Sequence, residues 1–157
     1  DEGPVGDVRF VHVPADADAG RAYEVLAPAA VEGVLATMAA MEDGSIVWRP
    51  QAGATTFAAK IGPAERHIDW GRPAATIVNQ VRALAPHIGA VTELLGKRTL
   101  IWRAAVGEGP QPAPSGERLA LAAGEGWVDV LELQQEGRGR MTAAEFLRGA
   151  GRALARA

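Results

Sequence analysis

The chain has no cysteine among its 157 residues, and this absence excludes several kinds of chemistry at once. Disulfides, thiolate nucleophiles and cysteine-ligated zinc sites all require thiols. The three histidines, His12, His67 and His87, have none of the short spacings that metal sites use. The sequence therefore predicts a protein without a bound metal, whose function depends on other side chains.

Long apolar runs are also missing. No run approaches the roughly 20 apolar residues that span a bilayer, and the start lacks a basic segment followed by an apolar one. The composition, with 48% apolar and 22% charged residues, is ordinary for a globular domain. We therefore expect a cytoplasmic protein without a membrane partner. Because nothing in the sequence implies a protein partner, we expect a monomer.

Charge is distributed unevenly along the chain. The first fifty residues carry three Arg against nine acidic side chains, whereas residues 51–157 carry thirteen Lys and Arg against ten acidic side chains. The later part is therefore mildly basic although the whole chain has a net charge of -3. A basic part is compatible with a polyanionic partner, but an excess of this size is equally typical of a mixed, solvated surface.

The first forty-five residues have the pattern of one strand and two helices. Residues 8–13 alternate and are β-branched, which predicts a strand that ends at Pro14. A helix from about Ala19 should be interrupted at Pro28, because proline removes an amide donor and clashes with the preceding turn. Residues 29–41 then predict a second helix whose apolar face, including its methionines, packs in the core on a sheet edge.

The rest of the chain alternates short apolar runs with glycine-rich turns. Pro73 is suited to the start of a helix that Pro86 stops, and Thr142 with Glu145 forms a capping box for a last helix. Four or five short strands at such spacing predict a small barrel or sandwich. The apolar runs are residues 90–94, 99–106, 119–122 and 127–133.

The later part of the chain contains two sets of short motifs, one after the other. The first set begins at Lys60-Ile61 and runs to residues 101–104, and the second set comprises residues 130–134 and 140–149. Together, the two sets resemble the C-terminal domain of methionyl-tRNA formyltransferases. The first fifty residues are similar to the end of the catalytic domain of the same family. The quoted motifs include Ile68-Asp69-Trp70, Arg72-Pro73-Ala74, Gly96-Lys97-Arg98, Ile101-Trp102-Arg103-Ala104 and Arg140-Met141.

The resemblance implies an α+β protein. Residues 1–43 would be a remnant strand-helix edge of an α/β formyltransferase domain, residues 44–54 a linker, and residues 55–157 an OB-like β-barrel domain with flanking helices. Residues 107–126 depart from the family, because a proline-rich segment replaces a usual strand. One strand of the barrel is therefore expected to be short or displaced.

The resemblance further implies that the full-length protein transfers a formyl group from 10-formyltetrahydrofolate to the amino group of initiator methionyl-tRNA. The family's catalytic Asn and His and its folate-binding loop have no match in this chain, so we expect the chain alone to be inactive. Asp1 is the one candidate for the family's catalytic Asp. Alternatively, that Asp is lost at Pro4-Val5 and Asp1 is an ordinary turn carboxylate near a chain end.

Cations at turns and loops are the candidates for tRNA binding, because such positions project Lys and Arg toward phosphates. Two other functions remain open: the tail of a sugar-nucleotide formyltransferase, which shares the Ile-Asp-Trp-x-Arg-Pro-Ala motif, and a non-catalytic RNA-binding barrel. The candidate tRNA-binding residues are Lys60, Arg66, Arg82, Lys97, Arg98, Arg138 and Arg140.

Overall fold

The computed structural model describes residues 3–113 and 116–154. It divides into two compact units, residues 1–60 and residues 61–157, and each unit is described by itself. The candidate catalytic residue Asp1 lies outside the described residues.

Unit 1 is built around one long helix, α1 (Ala19–Glu42). The Asp18 carboxylate caps its first turn by accepting a 2.8 Å hydrogen bond from the Arg21 backbone amide. The predicted interruption at Pro28 is wrong, because α1 continues through this proline as a single helix. Pro28 removes one hydrogen bond from the ladder, and the turns on either side still keep the helix whole.

Two further predictions for unit 1 are wrong. Residues 8–13 form no strand, since no described segment exchanges ladder hydrogen bonds with them. The methionines of α1 are not in a core: Met38 is 61% exposed, and no residue of α1 is buried. Unit 1 therefore presents a largely apolar helix face that its own described residues leave open.

The length of α1 bears on the expectation that no stretch could span a membrane. By length and apolar composition alone, α1 is long enough to cross a bilayer. This is weak evidence, because core helices of soluble proteins have the same length and composition. Glu24 and Glu32 lie within the helix, and carboxylates are rare in membrane-spanning segments.

Unit 2 combines short helices with a five-stranded antiparallel sheet. In the sheet, β1 pairs with β2, β2 with β4, and β4 with both β3 and β5. Its helices are α2 (Pro63–Arg66), α3 (Ala74–Leu84) and α4 (Ala143–Arg148), followed by a 3-10 turn (Ala150–Ala153). Its strands are β1 (Ala90–Leu94), β2 (Lys97–Val106), β3 (Leu119–Ala122), β4 (Trp127–Gln135) and β5 (Met141–Thr142).

The core of unit 2 lies between the curled sheet and the helices α3 and α4. Helix α3 starts directly after Pro73, and its buried side chains recur every three or four residues and face the sheet. The predicted capping box is confirmed, because Thr142 and Glu145 bond to each other's backbone amides at the start of α4. The predicted α+β class and the small OB-like barrel with flanking helices are likewise confirmed.

The proline-rich segment between β2 and β3 is fastened to the sheet by Trp127. The Trp127 indole N–H donates a 3.1 Å hydrogen bond to the Gly109 carbonyl oxygen. Gly107 packs so closely on this indole that an added Cβ would lie 2.0 Å from the ring. Only four residues remain for β3, so the expectation of one short strand is confirmed.

Candidate nucleic-acid interface

Two tight turns at one end of the sheet carry exposed cations. The β1–β2 turn is formed by Leu95 and Gly96, both with positive φ, as a two-residue hairpin connection requires. Lys97 and Arg98 follow this turn at the start of β2. The second turn, residues 136–140, joins β4 to β5 and carries Arg138. The predicted projection of these three cations into solvent agrees with their exposure.

The two turns are neighbours because β2 and β4 pair up to their ends. The Glu136 backbone amide donates a 2.9 Å hydrogen bond to the carbonyl oxygen of Arg98. Beside this bond lies Gln135, a polar residue that is only 1% exposed. Its side-chain amide donates a 3.2 Å hydrogen bond to the carbonyl oxygen of Leu94, where the first turn begins. Gln135 therefore fixes the β1–β2 turn to the end of β4.

The preceding residue, Gln134, fixes the second turn. Its side-chain amide nitrogen donates a 2.8 Å hydrogen bond to the carbonyl oxygen of Arg138. Its side-chain oxygen accepts a 3.2 Å hydrogen bond from the indole N–H of Trp102, a nearly buried residue of β2. One glutamine side chain thus holds the cationic turn and a core tryptophan together.

Arg140 ends the second turn and stacks on the same tryptophan. Its guanidinium carbon lies 3.5 Å from the centre of the Trp102 ring. One guanidinium nitrogen, Nη2, also donates a 2.6 Å hydrogen bond to the carbonyl oxygen of Pro86, just beyond α3. Arg140 therefore ties the turn to the end of α3 through a stacking contact and a hydrogen bond.

We name Lys97, Arg98, Arg138 and Arg140 the basic end. In the part of the chain that the structure describes, no carboxylate oxygen lies within 4 Å of these four cationic groups. Two acidic residues are nearby in the backbone, since Glu93 pairs with Arg98 across β1 and β2 and Glu136 precedes Arg138. The basic end therefore has an excess of positive charge on adjacent turns, which is the arrangement that phosphate contacts use.

A small cavity borders the basic end. It has a volume of about 320 Å³, and its lining includes Arg98, Glu93 and His67. Arg66 directly precedes His67, which forms a β-bridge with Val91 of β1. The side chain of Arg66 is half-buried, and its Nε atom is buried without a hydrogen-bond partner among the described residues.

The remaining candidates are placed differently. Arg82 lies on α3 one turn before Pro86, and it is half-buried and takes part in an interaction of its own. Lys60 is exposed and is the last residue of unit 1, so its position is given only within that unit. The structure thus places four of the seven predicted cations on two hydrogen-bonded turns, and it places Arg66 next to His67, which lines the cavity at the border of the basic end.

The sequence interpretation missed the residues that hold the basic end in shape. Gln134 and Trp102 were recognised only as parts of family motifs, and Gln135 was not singled out. Two adjacent glutamines at the end of a strand rich in apolar residues were the available signal. Buried polar groups need hydrogen-bond partners, so a buried glutamine predicts a specific contact even when its partner is unknown.

Within residues 3–113 and 116–154, no group of three or more His, Asp or Glu side chains is arranged to hold a metal ion.

The capping box of Thr142 and Glu145 lies beside the basic end and contributes a carboxylate instead of a cation. Hydrogen bonds from the Thr142 backbone amide and hydroxyl hold the pKa of the Glu145 carboxyl below its usual value.

Comparison with known proteins gives a consistent family. Residues 60–151 match the family model described as the formyl transferase C-terminal domain. A methionyl-tRNA formyltransferase of Symbiobacterium thermophilum is 40% identical over 165 residues, which cover 96% of this chain and 51% of that protein. A methionyl-tRNA formyltransferase of Brucella anthropi is 37% identical over 157 residues, with the same coverage of 96% and 51%. The chain thus spans about half the length of these curated relatives.

Solved structures support the fold. A HypX variant from Aquifex aeolicus superposes with a TM-score of 0.67 at 24% identity, covering 95% of this chain and 29% of that protein. HypX from Aquifex aeolicus in complex with tetrahydrofolic acid superposes with a TM-score of 0.61 at 23% identity, covering 88% and 27% of the two chains. At these identities the likeness concerns the fold alone.

Proposed function

We propose, because the chain belongs to the family of formyl transferase C-terminal domains, that it is the tRNA-holding part of a methionyl-tRNA formyltransferase. The full-length protein would transfer a formyl group to the amino group of initiator methionyl-tRNA. Unit 2 would hold the tRNA, and formyl transfer would belong to the protein as a whole. The names of the relatives with 40% and 37% identity support this proposal.

The observation that carries the proposal is the basic end. Its four cations occupy two turns that hydrogen bonds hold side by side, and no described carboxylate neutralises them. Phosphates of a nucleic acid backbone attract such groups, and contacts of this kind fix the position of an RNA without reading its sequence. Arg66 would extend this surface along the edge of β1. Lys60 and Arg82 lie outside the basic end and stay weaker candidates for tRNA binding.

The formyl donor would be 10-formyltetrahydrofolate, bound by other parts of the full-length protein. A groove of unit 1 has a volume of about 490 Å³ and is lined mainly by aliphatic side chains of α1. Its polar side chains are already paired, because Arg9 donates to Asp7 at 2.6 Å and Thr37 donates to the carbonyl oxygen of Gly33 at 2.8 Å. These contacts leave no polar side chain of the groove assigned to a pterin ring, and we derive no step that involves folate.

Further parts of the proposal are a cytoplasmic location, a monomeric state and Asp1 as a candidate catalytic carboxylate. The sugar-nucleotide formyltransferase and the non-catalytic RNA-binding barrel are less favoured, because the cited relatives are methionyl-tRNA formyltransferases. The basic end also favours a polyanionic partner over a small sugar nucleotide, because it spans two separate turns.

Binding of initiator tRNA at two or more salt concentrations tests the proposal. Each phosphate contact contributes about -0.9 to the slope of log affinity against log salt concentration. The triple substitution Lys97→Ala, Arg98→Ala and Arg138→Ala should therefore weaken binding and make the slope shallower by roughly 2 to 3. Fluorescence anisotropy with labelled tRNA measures both quantities.

A matched triple variant removes three exposed arginines outside the basic end. Arg21 and Arg103 have the carboxylate partners Glu24 and Glu132, and Arg72 lies in the turn before α3. Their replacement by alanine should leave both the affinity and the salt slope close to the parent values. Equal effects of the two triple variants would refute the basic end as the RNA-binding surface.

A further inference from the structure

The contact between Arg140 and Trp102 has the geometry of two stacked planes. At 3.5 Å between the guanidinium carbon and the ring centre, a steeply tilted guanidinium would push one nitrogen into the ring. The two planes must therefore be close to parallel. Trp102 is 6% exposed whereas Arg140 is exposed, so a partner that approaches this contact from solvent meets Arg140 before the indole.

This stack is held from several directions. The indole N–H of Trp102 bonds to Gln134, and the six-membered ring packs on Gly89, where an added Cβ would lie 3.0 Å away. Gly89 also has a φ of +77°, which a side chain would strain further. The hydrogen bond from Arg140 to the Pro86 carbonyl oxygen fixes the guanidinium within its plane. The flat face of Arg140 is thus preorganised before any partner arrives.

The neighbours of the stack indicate which chemical partner it suits. Lys97, Arg98 and Arg138 lie on the two adjoining turns, and exposed cations of this kind contact the phosphates of RNA. Unpaired bases of RNA commonly stack on arginine planes as well as on aromatic rings. A paired base within a helix does not offer a free face to such a plane.

We propose that Arg140, supported by Trp102, is a stacking platform for one unpaired nucleobase of the bound RNA. This inference rests on the proposed function, because it places a single base of the RNA against the basic end. It assigns Arg140 a different role from its three neighbours: they neutralise phosphates, and Arg140 covers the face of a base. Stacking of this kind contributes a factor of about 5 to 150 in affinity for one base.

The test uses three RNA ligands. The first is a blunt duplex, the second is this duplex with a short single-stranded 3′ extension, and the third has the same extension built from abasic nucleotides. The second and third ligands have equal numbers of phosphates and differ only in bases. The wild-type chain should bind the extension with bases about tenfold more tightly than the abasic extension.

Arg140→Lys keeps the charge but loses the flat guanidinium, so it should abolish this tenfold difference and leave the affinity for the blunt duplex nearly unchanged. Arg118→Lys is the matched control, because Arg118 also stacks on a tryptophan, Trp127, but is paired with Asp129. The control should keep the full difference between the two extensions. Thermal unfolding of both variants verifies that they are folded.

The outcomes separate the two proposals. Binding of RNA by the wild-type chain with equal affinity for the base-containing and abasic extensions overturns the platform and leaves the proposed function standing. A full difference retained by Arg140→Lys also overturns it. Binding of none of the RNAs contradicts the proposed function itself. If Arg140→Lys lowers the melting temperature, the affinities of the wild-type chain for the two extensions still decide whether a base stacks on the protein.

Discussion

In the described part of unit 2, Arg118 and Arg140 each lie over a tryptophan ring, and they differ in their distance from the ring and in their hydrogen-bond partners. Arg118 lies 5.2 Å from the centre of the Trp127 ring, and its Nη2 bonds at 2.5 Å to the carboxylate of Asp129, which is buried in β4. Arg140 lies closer to Trp102, at 3.5 Å, and bonds to the neutral carbonyl oxygen of Pro86. The same kind of contact therefore leaves one arginine with a compensated charge and the other with an uncompensated charge.

This difference separates a structural contact from a binding surface. The hydrogen bond and the charge of Asp129 raise the pKa of Arg118, and the pair secures the proline-rich segment against β3 and β4. Arg140 secures a turn as well, but its charge adds to the field of the basic end. The contact with a tryptophan does not by itself distinguish a structural arginine from one that binds a partner. The carboxylate beside Arg118 assigns it to structure, and the uncompensated charge of Arg140 suits it to binding.

Replacing the tryptophan of the structural pair should have the largest effect. Trp127 is 3% exposed and holds the proline-rich segment through its indole N–H. We expect Trp127→Ala to lower the free energy of unfolding by about 3–5 kcal/mol, as for other large-to-small core changes. Urea denaturation followed by circular dichroism measures this change.

Trp48 in unit 1 is the control for that experiment. Its side chain is 48% exposed, so Trp48→Ala should lower the unfolding free energy by less than about 1 kcal/mol. A loss from Trp127→Ala no larger than the loss from Trp48→Ala would contradict the assignment of Trp127 to the core.

An intermediate effect is expected from Gln135→Leu at the basic end. The substitution removes a buried hydrogen bond to the Leu94 carbonyl oxygen, which should lower the unfolding free energy by about 1–2 kcal/mol. RNA affinity should also fall, because the β1–β2 turn is no longer fixed. The salt slope should stay the same, since all four cations remain.

Trp127→Phe provides the comparison from the structural region. It removes the hydrogen bond to Gly109, which also lowers stability, but it lies outside the basic end. RNA affinity should therefore be unchanged in this variant. Similar losses of affinity in Gln135→Leu and Trp127→Phe would show that general destabilisation, and not the position of the turn, weakens RNA binding.

The smallest effect concerns acid stability. The pKa of Glu145 is lowered in the folded state, so its carboxylate stabilises the fold above the unfolded pKa of 4.5, and this contribution is lost as pH falls through the folded pKa. We expect Glu145→Gln to lower the melting temperature at about pH 7, and we expect its difference from the parent protein to shrink as the pH falls below the folded pKa. Thermal unfolding over this pH range measures the difference.

Glu108→Gln, in the proline-rich segment, is the matched control because it removes an exposed carboxylate from the other region. Its melting curve should follow that of the parent protein at every pH. An equal pH response of Glu145→Gln and the parent protein would show that the capping box does not link the stability of α4 to protonation.

The elements that local chemistry determines were predictable from the sequence. The three- and four-residue spacing of apolar side chains predicted α3, and the Thr142–Glu145 pair predicted the start of α4. The four apolar runs correspond to β1–β4 of the structure. Helix α1 was the exception, because the ladder of hydrogen bonds around Pro28 continues where local preference favours a break.

The geometry of the basic end depends on contacts between distant residues, so the sequence could predict it only in part. Arg138 and Arg140 are both arginines of the same glycine-containing loop, and the sequence predicted both as phosphate contacts. The structure distinguishes them, because Arg140 bonds to Pro86, which lies 54 positions earlier in the chain. The partner of Gln135 is 41 positions away. No local pattern encodes either contact.

The two adjacent glutamines have a consequence for protein engineering. Successive residues of a strand face opposite sides of the sheet, so Gln134 and Gln135 reach two different turns from opposite faces. A single inserted residue in β4 would exchange their faces and release both turns together. Anyone who grafts the basic turns onto another barrel should therefore transplant this dipeptide in register with them.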